Sequence, residues 1–550
     1  MRKINWLLIT ILVLAAVLRL WKLGSIPAGL TSDEASLGYN AYSILKTGRD
    51  EYGKFLPVIF KSFGDYKPGL YVYLDVPFVA ALGLNEFATR LPSAVAGVIS
   101  VYLIYLICSR LFGRRLAVFA AFTASVTPWS IYFSRGAWEV NVSLTLTLAG
   151  IYFFLKAMEK SKYFILSALL FALTLLTYQG AKLSTGIVVV LLIVIYWKQI
   201  FKFERKHLFG GVGLGIIVSI PIVLSLFNGQ AGRLDVFSVF SYPRPKSYTQ
   251  AFLDEGEEKI GDLNYYLFHS EGLNFTRGIL GRFFNHFSGK FLFFEGDWSN
   301  PRQSAPYQGM LLLGDLILVV VGAFSFVKKG WSKETLFIWL WLVLSPLPSA
   351  LSRDQVHAVR ALNMQVPLII LISFGMMTFF DNFKKVAPVI ILSGVFALFY
   401  FAGFIYFLDA YFVHVPAHDS IYWNYGYKQV VEIVTPIQKK YKTIKVQQSF
   451  AQPYIYFLFY QKYDPAKYQK MARLVSSGNI NDVGYVLTLD NIQFAPIDWS
   501  VNRGERGTLF VADTVRIPPG DSSDTNLFTL ISEIKYLNGR DTAFRILAVK

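Results

Sequence analysis

The chain has 550 residues, of which 54% are hydrophobic, 17% aromatic and only 16% charged, with a formal net charge of +17. Soluble domains carry roughly 25% charge, so this balance excludes a water-soluble globule. A nucleic-acid binder is excluded too, because the basic residues sit in short clusters between apolar runs and form no soluble basic domain.

The first apolar run, Trp6 to Leu18 behind Arg2 and Lys3, has the order of a signal peptide. No small-x-small cleavage site follows it, and further spans come later, so it reads as an uncleaved helix with a cytoplasmic N-terminus. A membrane-crossing helix needs roughly 17–25 apolar residues. Runs of that kind are read near 5–22, 91–109, 116–133, 142–157, 163–178, 183–197, 208–227, 309–327, 335–351, 362–380 and 386–408. Cys108 lies inside one of them, and as the single cysteine it allows no intramolecular disulfide.

The stretch 68–84 is ambiguous, since it follows Pro68-Gly69 and contains Asp75 and Pro77. Loop charges decide it. If 68–84 does not span, one side of the membrane collects Arg110/Arg114/Arg115, Lys156/Lys160/Lys162, Lys198/Lys202/Arg205/Lys206, Lys328/Lys329/Lys333 and Lys384/Lys385. The short loops opposite then keep only Arg135, Lys182, Arg353 and Arg360. The positive-inside rule makes the first side cytoplasmic and turns 68–84 into an interfacial helix. The expected fold is an all-α polytopic bundle of about 11 transmembrane helices plus interfacial helices, covering 1–408, in the cell membrane. Its outer loops are 23–90 and 228–308. The tail, 409–550, reads as a small extracytoplasmic α/β domain with a helix near 427–441. Its strand-like runs are Thr443–Val446, Tyr454–Tyr460, Gly484–Leu489, Thr508–Val511, Leu527–Ile531 and Phe544–Val549.

Unusual polar residues collect on the outer side. Asp33-Glu34 follows the first span, and Ser32 or Asp33 reads equally as the N-cap of the helix-like segment 35–45. Asp65-Tyr-Lys67-Pro-Gly69 opens the interfacial stretch, where Lys67 either snorkels to water or meets a lipid phosphate. Arg135, Glu139 and Asn141 share one outer loop, and Arg135 and Glu139 have the spacing of a local ion pair. Phe291-Leu-Phe-Phe-Glu295-Gly-Asp297 suits a segment at headgroup level, and His357 and Arg360 read as one helical face at the mouth of a span. Acids and bases converging on one side of a bundle are the sign of a site.

Taken together, these segments resemble bacterial members of the GT-C glycosyltransferase superfamily, in the branch of protein O-mannosyltransferases and lipid A aminoarabinose transferases. The resemblance covers about 1–408. It rests on Asp33-Glu34, Tyr66-Lys67-Pro68, Arg90-Leu-Pro-Ser93, Leu111-Phe-Gly-Arg-Arg115, Phe133-Ser-Arg135 with Glu139 and Asn141, Phe293-Phe-Glu-Gly-Asp297 and His357-Ala-Val-Arg360-Ala-Leu-Asn363. It implies an active site at the outer membrane surface with the first-loop aspartate as base. In the aminoarabinose enzymes the Lys-Pro pair follows a glutamate, whereas here Tyr66 holds that place after Asp65, which puts a metal ligand there in doubt.

The expected reaction is transfer of one sugar, with inversion, from a polyprenyl-phosphate monosaccharide to a protein or a lipid or glycan acceptor. Asp33 is the expected general base and Glu34 the reserve. Lys67, Arg135 and Arg360 are the expected donor-phosphate cations. Asp65, Glu139, Asn141, Glu295, Asp297 and His357 are the remaining polar candidates. Glu139, Glu295, Asp297 and His357 are open as ligands of a divalent metal, of the acceptor, or of one another. Membrane lipids are the expected surroundings and nucleic acid no partner. A transporter or flippase of lipid-linked sugars, an oligosaccharide transferase or polymerase, and a structural membrane protein with a partner-binding tail are the rival readings.

Overall fold

The computed structural model describes residues 6–228, 238–382, 387–448, 452–475 and 484–550. Helices α1 (Trp6–Leu20) and α2 (Ser32–Thr47) open the chain, followed by a hairpin of β1 (Ile59–Ser62) and β2 (Asp65–Pro68) and by α3 (Leu70–Leu82). Next come α4 (Glu86–Leu111), α5 (Arg114–Val126), α6 (Pro128–Tyr132), α7 (Glu139–Ala157), α8 (Tyr163–Leu175), α9 (Ala181–Ile200) and α10 (Arg205–Phe227). Local chemistry sets the boundaries. Asn85 caps α4 by accepting the Ala88 N–H at 2.9 Å, and Gly113, at φ +94°, takes the left-handed turn into α5.

All eleven segments read as spans fall on helix, the last four on Asp315–Lys328, Lys333–Leu344, Gln365–Asn382 and Ala387–Asp409. Six helices among the described residues are long and apolar enough to cross a bilayer. Trp6–Leu20 and Tyr163–Leu175 are apolar but shorter, so eleven full crossings exceed what helix length alone supports. Helix α3 has 13 residues, about 20 Å of rise against a hydrocarbon core of about 30 Å.

Part of the loop 228–308 departs from expectation. Residues 229–237 lie outside the described set, and the aromatic run near 291 is not at headgroup level. It forms a short wide helical turn, Lys290–Phe294, whose Phe291, Leu292 and Phe293 are buried in the bundle core. The Phe291 ring meets Trp129 edge-on at 5.4 Å. Burial of three adjacent apolar residues outweighs the polar flanks from which an interfacial position was read.

The tail holds a six-stranded sheet in the order β6-β7-β3-β8-β10-β9. Its central strand β3 (Thr443–Gln447) runs parallel to β7 (Ile492–Ala495) and β8 (Thr508–Ala512). Antiparallel β6 (Thr488–Leu489), β9 (Phe528–Lys535) and β10 (Thr542–Val549) complete it, and β4 (Leu474–Val475) pairs apart with β5 (Tyr485–Val486). One expected strand is a helix: Pro453–Tyr460 is α-helical, started by Pro453 in its first turn. Every residue from Pro453 to Phe459 is buried, so the run shows no polar face from which its period could be read.

Packing cuts across the boundary near 409. One apolar core belongs to the bundle, while a second joins Val430, Ile444, Tyr456 and Phe494 of the tail to Leu30, Leu37, Phe60 and Val72 of the first outer loop. Within the bundle, the tightest crossing is between the helices Asp315–Lys328 and Gln365–Asn382. A Cβ on Gly322 would strike the Leu371 carbonyl, and one on Gly375 the Leu318 carbonyl. Small residues permit such backbone contact between apolar helices. Gly322→Ala should therefore cost about 1–3 kcal/mol, seen as a lower unfolding temperature in detergent. Gly213→Ala, with open space around the added carbon, is the control.

Candidate active site

Asp33 sits in the first turn of α2, and the turn is built to hold it. Thr31 caps the helix, which decides against Ser32 or Asp33 as the cap: its hydroxyl accepts the Glu34 N–H at 3.2 Å. Glu34 returns the bond from its carboxylate to the Thr31 N–H at 3.0 Å, closing a capping box. Glu34 is buried and accepts from Arg90 Nε at 3.0 Å, Arg90 Nη2 at 3.3 Å and the Ala137 N–H at 2.9 Å. Its lone pairs are committed, so it braces the turn.

Arg90, wholly buried in α4, opens the Arg90-Leu-Pro-Ser93 motif, but the sequence assigns it no role. Beyond Glu34 its guanidinium donates to the carbonyls of Leu23 at 3.1 Å, Pro27 at 3.0 Å and Gly29. Removing one partner of such a buried pair costs about 3–5 kcal/mol, because the other is left charged and unpaired.

The β1–β2 hairpin brings the second charge. Its turn, Phe63-Gly64, has both residues at positive φ (55° and 86°), the geometry that matches strand twist in two-residue hairpins. Lys67 then projects from β2, and its ammonium donates directly to Asp33 Oδ1. The Asp33 side chain stays 52% accessible while protein groups surround it, so it lines a cleft. Burial pushes its pKa up, but the charge and hydrogen bond of Lys67, helped by Arg302, outweigh burial and hold it below the ordinary aspartate value. Lys67 is the mirror case: burial lowers its pKa, while Asp33, Glu139 and Asp65 raise it above the ordinary lysine value. Both groups are therefore ionised at neutral pH.

The opposite wall comes from the 300–360 region. Arg302 faces both Asp33 and His357, and its guanidinium has no ion-pair partner among the described residues. Arg360 pairs with Asp354 at 2.8 Å, and Arg360 and Glu139 both act electrostatically on Tyr178. Residues 352–361 hold no helix, so His357 and Arg360 do not share a helical face; a 3-10 turn at Leu362–Met364 leads into the α-helix at Gln365. Burial first, then Arg360 and Arg302, push His357 well below the ordinary histidine value, leaving a neutral imidazole. Asp33, Asp65, Lys67, Glu139, Arg302, His357 and Arg360 thus act on one another electrostatically, directly or through a shared neighbour.

Four sequence candidates lie elsewhere. Arg135 is buried and spends its donors on the carbonyls of Leu18 at 2.8 Å, Trp21 at 2.6 Å and Ile26 at 3.2 Å, with the Phe412 ring at 4.7 Å. It pins the end of α1, and it forms no pair with Glu139. Asn141 donates to the Ser93 carbonyl at 2.8 Å. Glu295 is half-exposed and pairs with Lys290 at 3.1 Å. Asp297 is buried and accepts the Ala358 N–H at 2.6 Å, supporting the His357 turn, and burial pushes its pKa up to about 7. Among the described residues no three His, Cys, Asp or Glu side chains are grouped to hold a metal. The cation facing Asp33, Asp65 and Glu139 is the Lys67 ammonium.

Comparison with known proteins defines the class. The chain has the GT-C glycosyltransferase fold: it matches the crystal structure of ArnT from Cupriavidus metallidurans in the apo state with a TM-score of 0.55 and 11% identity, over 98% of this chain and 97% of that one. The same protein bound to undecaprenyl phosphate matches with a TM-score of 0.54 and 11% identity, again over 98% and 97%. Residues 67–224 match the family of dolichyl-phosphate-mannose-protein mannosyltransferases, so the chain is similar to O-mannosyltransferases in sequence there and to an aminoarabinose transferase in fold. No curated protein matches the sequence.

The Asp33–Lys67 pair makes a pH prediction. A depressed Asp33 keeps the pair intact above its lowered pKa and loses it only as pH falls through that value; a raised Lys67 preserves it into alkali. Lys67→Met should move the midpoint of Asp33 labelling by a carbodiimide and an amine to higher pH, read by peptide mass spectrometry. An unmoved midpoint would mean that Lys67 does not control the carboxylate.

Proposed function

We propose that the chain transfers a monosaccharide from a polyprenyl-phosphate sugar to a hydroxyl or amine of a protein or a lipid or glycan acceptor, at the extracytoplasmic face. The observation that carries this reading is the ionised, accessible Asp33 paired to Lys67, within electrostatic reach of Arg302, whose guanidinium has no ion pair among the described residues. A carboxylate that is ionised and accessible suits proton removal, and two cations across from it suit a phosphate. The likeness to a protein crystallised with undecaprenyl phosphate agrees with a lipid-phosphate donor.

In this mechanism Asp33 takes the acceptor proton as the acceptor oxygen or nitrogen attacks the anomeric carbon from the face opposite the phosphate. The anomeric carbon–oxygen bond breaks, its electron pair stays on the phosphate, and the sugar inverts. Lys67, Arg302 and Arg360 hold the growing negative charge. General-base help contributes about 10²–10⁴-fold, and one well-placed electrostatic contact about 2.7–4 kcal/mol. Glu34 and Arg135, expected at the chemistry, take positioning roles here. Among the rivals, a flippase predicts charges at mid-membrane depth, whereas this cleft is built at helix ends and outer loops.

Asp33→Asn should reduce transfer from a labelled polyprenyl-phosphate sugar by at least about 10²-fold, while purified protein still binds undecaprenyl phosphate in native mass spectrometry. Arg302→Ala should weaken that binding by roughly 10²-fold. Wild-type transfer by the asparagine variant would remove Asp33 as base, and unchanged binding by the alanine variant would remove the phosphate role of Arg302.

Sidedness has its own test. In a Cys108→Ala background, Lys160→Cys and Ser523→Cys should react with an impermeant maleimide from opposite faces of sealed vesicles. Labelling from one face would overturn the assignment of the tail and the cleft to the outer side.

A further inference from the structure

The tail reaches the Asp33 turn through Tyr456, on the helix Pro453–Tyr460. Its hydroxyl donates to the Leu30 carbonyl at 3.1 Å and accepts from Asn424 Nδ2 at 2.8 Å. It also lies 3.3 Å from the Ser32 hydroxyl. A carbonyl can only accept, so the single tyrosine proton belongs to Leu30, and Ser32 must be the donor to the tyrosine oxygen. Leu30 and Ser32 flank the capping residue Thr31, and Asp33 follows at once.

The same part of the tail grips the turn a second time. The Trp423 backbone lies so close to Gly29 that a Cβ there would collide with the Trp423 carbonyl, and the Trp423 ring lies 5.7 Å from the Arg90 guanidinium. The Tyr456 ring is itself fixed, stacked on Tyr427 at 4.3 Å and 8°. The turn is thus held from the bundle by Arg90 and from the tail by Tyr456.

We infer that Tyr456 is a positioning residue for Asp33, and that the C-terminal domain is part of the catalytic apparatus because it supplies this hydroxyl. The inference takes Asp33 as the base from the reading above, but the contact itself is testable without any sugar donor. Tyr454 gives an internal control for effects that travel through Lys67 rather than through the turn, because its partner Glu51 lies within electrostatic reach of Lys67. It stands two residues away on the same helix, and its hydroxyl meets Tyr52 at 3.3 Å and Glu51 at 3.4 Å, away from the Asp33 turn.

The experiment compares Tyr456→Phe and Tyr454→Phe in the full-length detergent-solubilised protein. Both keep their rings and should show similar, small losses in unfolding temperature. In Tyr456→Phe the turn loosens, the Asp33–Lys67 pair weakens, and the pH midpoint of Asp33 carbodiimide labelling rises by roughly half a unit or more toward the ordinary aspartate value. In Tyr454→Phe the midpoint stays in place. Asn424→Ala, which removes one donor to the Tyr456 oxygen, should shift it in the same direction by less. Equal midpoints in the two phenylalanine variants, or a shift in both, would overturn the assignment of Tyr456. Where transfer is measurable, Tyr456→Phe should lower kcat about tenfold with little change in the KM for donor. If Asp33→Asn proves fully active while Tyr456→Phe still moves the midpoint, the base assignment fails and the contact stands.

Discussion

The buried ion pair between Arg90 and Glu34 ties the membrane bundle to the segment that carries Asp33. Arg90 comes from the second turn of α4, an apolar span, and is wholly out of water. Such a charge persists only where its donors are satisfied, and here they are met by a carboxylate and by three carbonyls of the chain between α1 and α2. The need to satisfy the guanidinium folds residues 23–34 back onto the bundle. The fold therefore depends on an electrostatic constraint more than on the helix propensity of α2.

Glu34 and Asp33 are adjacent acids with opposite fates, and helix geometry separates them. Successive residues in a helix point about 100° apart, so when Glu34 turns inward to Arg90, Asp33 is directed toward the cleft. There it meets Lys67, which arrives on a hairpin with little choice of register because Phe60 and Ser62 on the facing strand are buried. Arg135 makes the companion point. Like Arg90 it is a buried arginine whose terminal nitrogens donate to carbonyls at a helix end, so both arginines hold the chain that follows α1 against the bundle.

Much of this was legible in the sequence, and the illegible part has physical causes. Each of the eleven apolar runs falls on helix, and six helices among the described residues are long and apolar enough to cross a bilayer, because burial in lipid demands long unbroken hydrophobicity. Asp33 and Lys67 stood out as polar groups at a membrane edge. The side of the membrane is encoded in loop charge, but the direction of a side chain is not. Arg135, Glu139 and Asn141 read as one loop, but Glu139 and Asn141 lie on α7, and Arg135 answers to Leu18, 117 residues earlier. Arg302 went unnoticed as a lone arginine after a proline, since its meaning lies in facing Asp33 across the chain. The segment 454–460 read as strand because complete burial erased its period.

The electrostatics of the cleft suggest why a base would be kept in an ion pair. An aspartate held below its ordinary pKa is a weak proton acceptor, and at first sight Lys67 works against catalysis. On the proposed reading, a lipid-linked phosphodiester beside Arg302 carries one negative charge, as Asp33 does, and gains a second as its bond to the sugar breaks, so it competes for the same ammonium as the reaction proceeds. As Lys67 is drawn toward the phosphate, the main force lowering the Asp33 pKa is removed, while the burial that raises it remains. In the proposed mechanism, departure of the sugar would then strengthen the base as the acceptor proton is lost, and before the donor binds neither charge is left unpaired. For that exchange to work, Asp33 must stay in place when its partner leaves, which puts the burden on the groups that hold the turn.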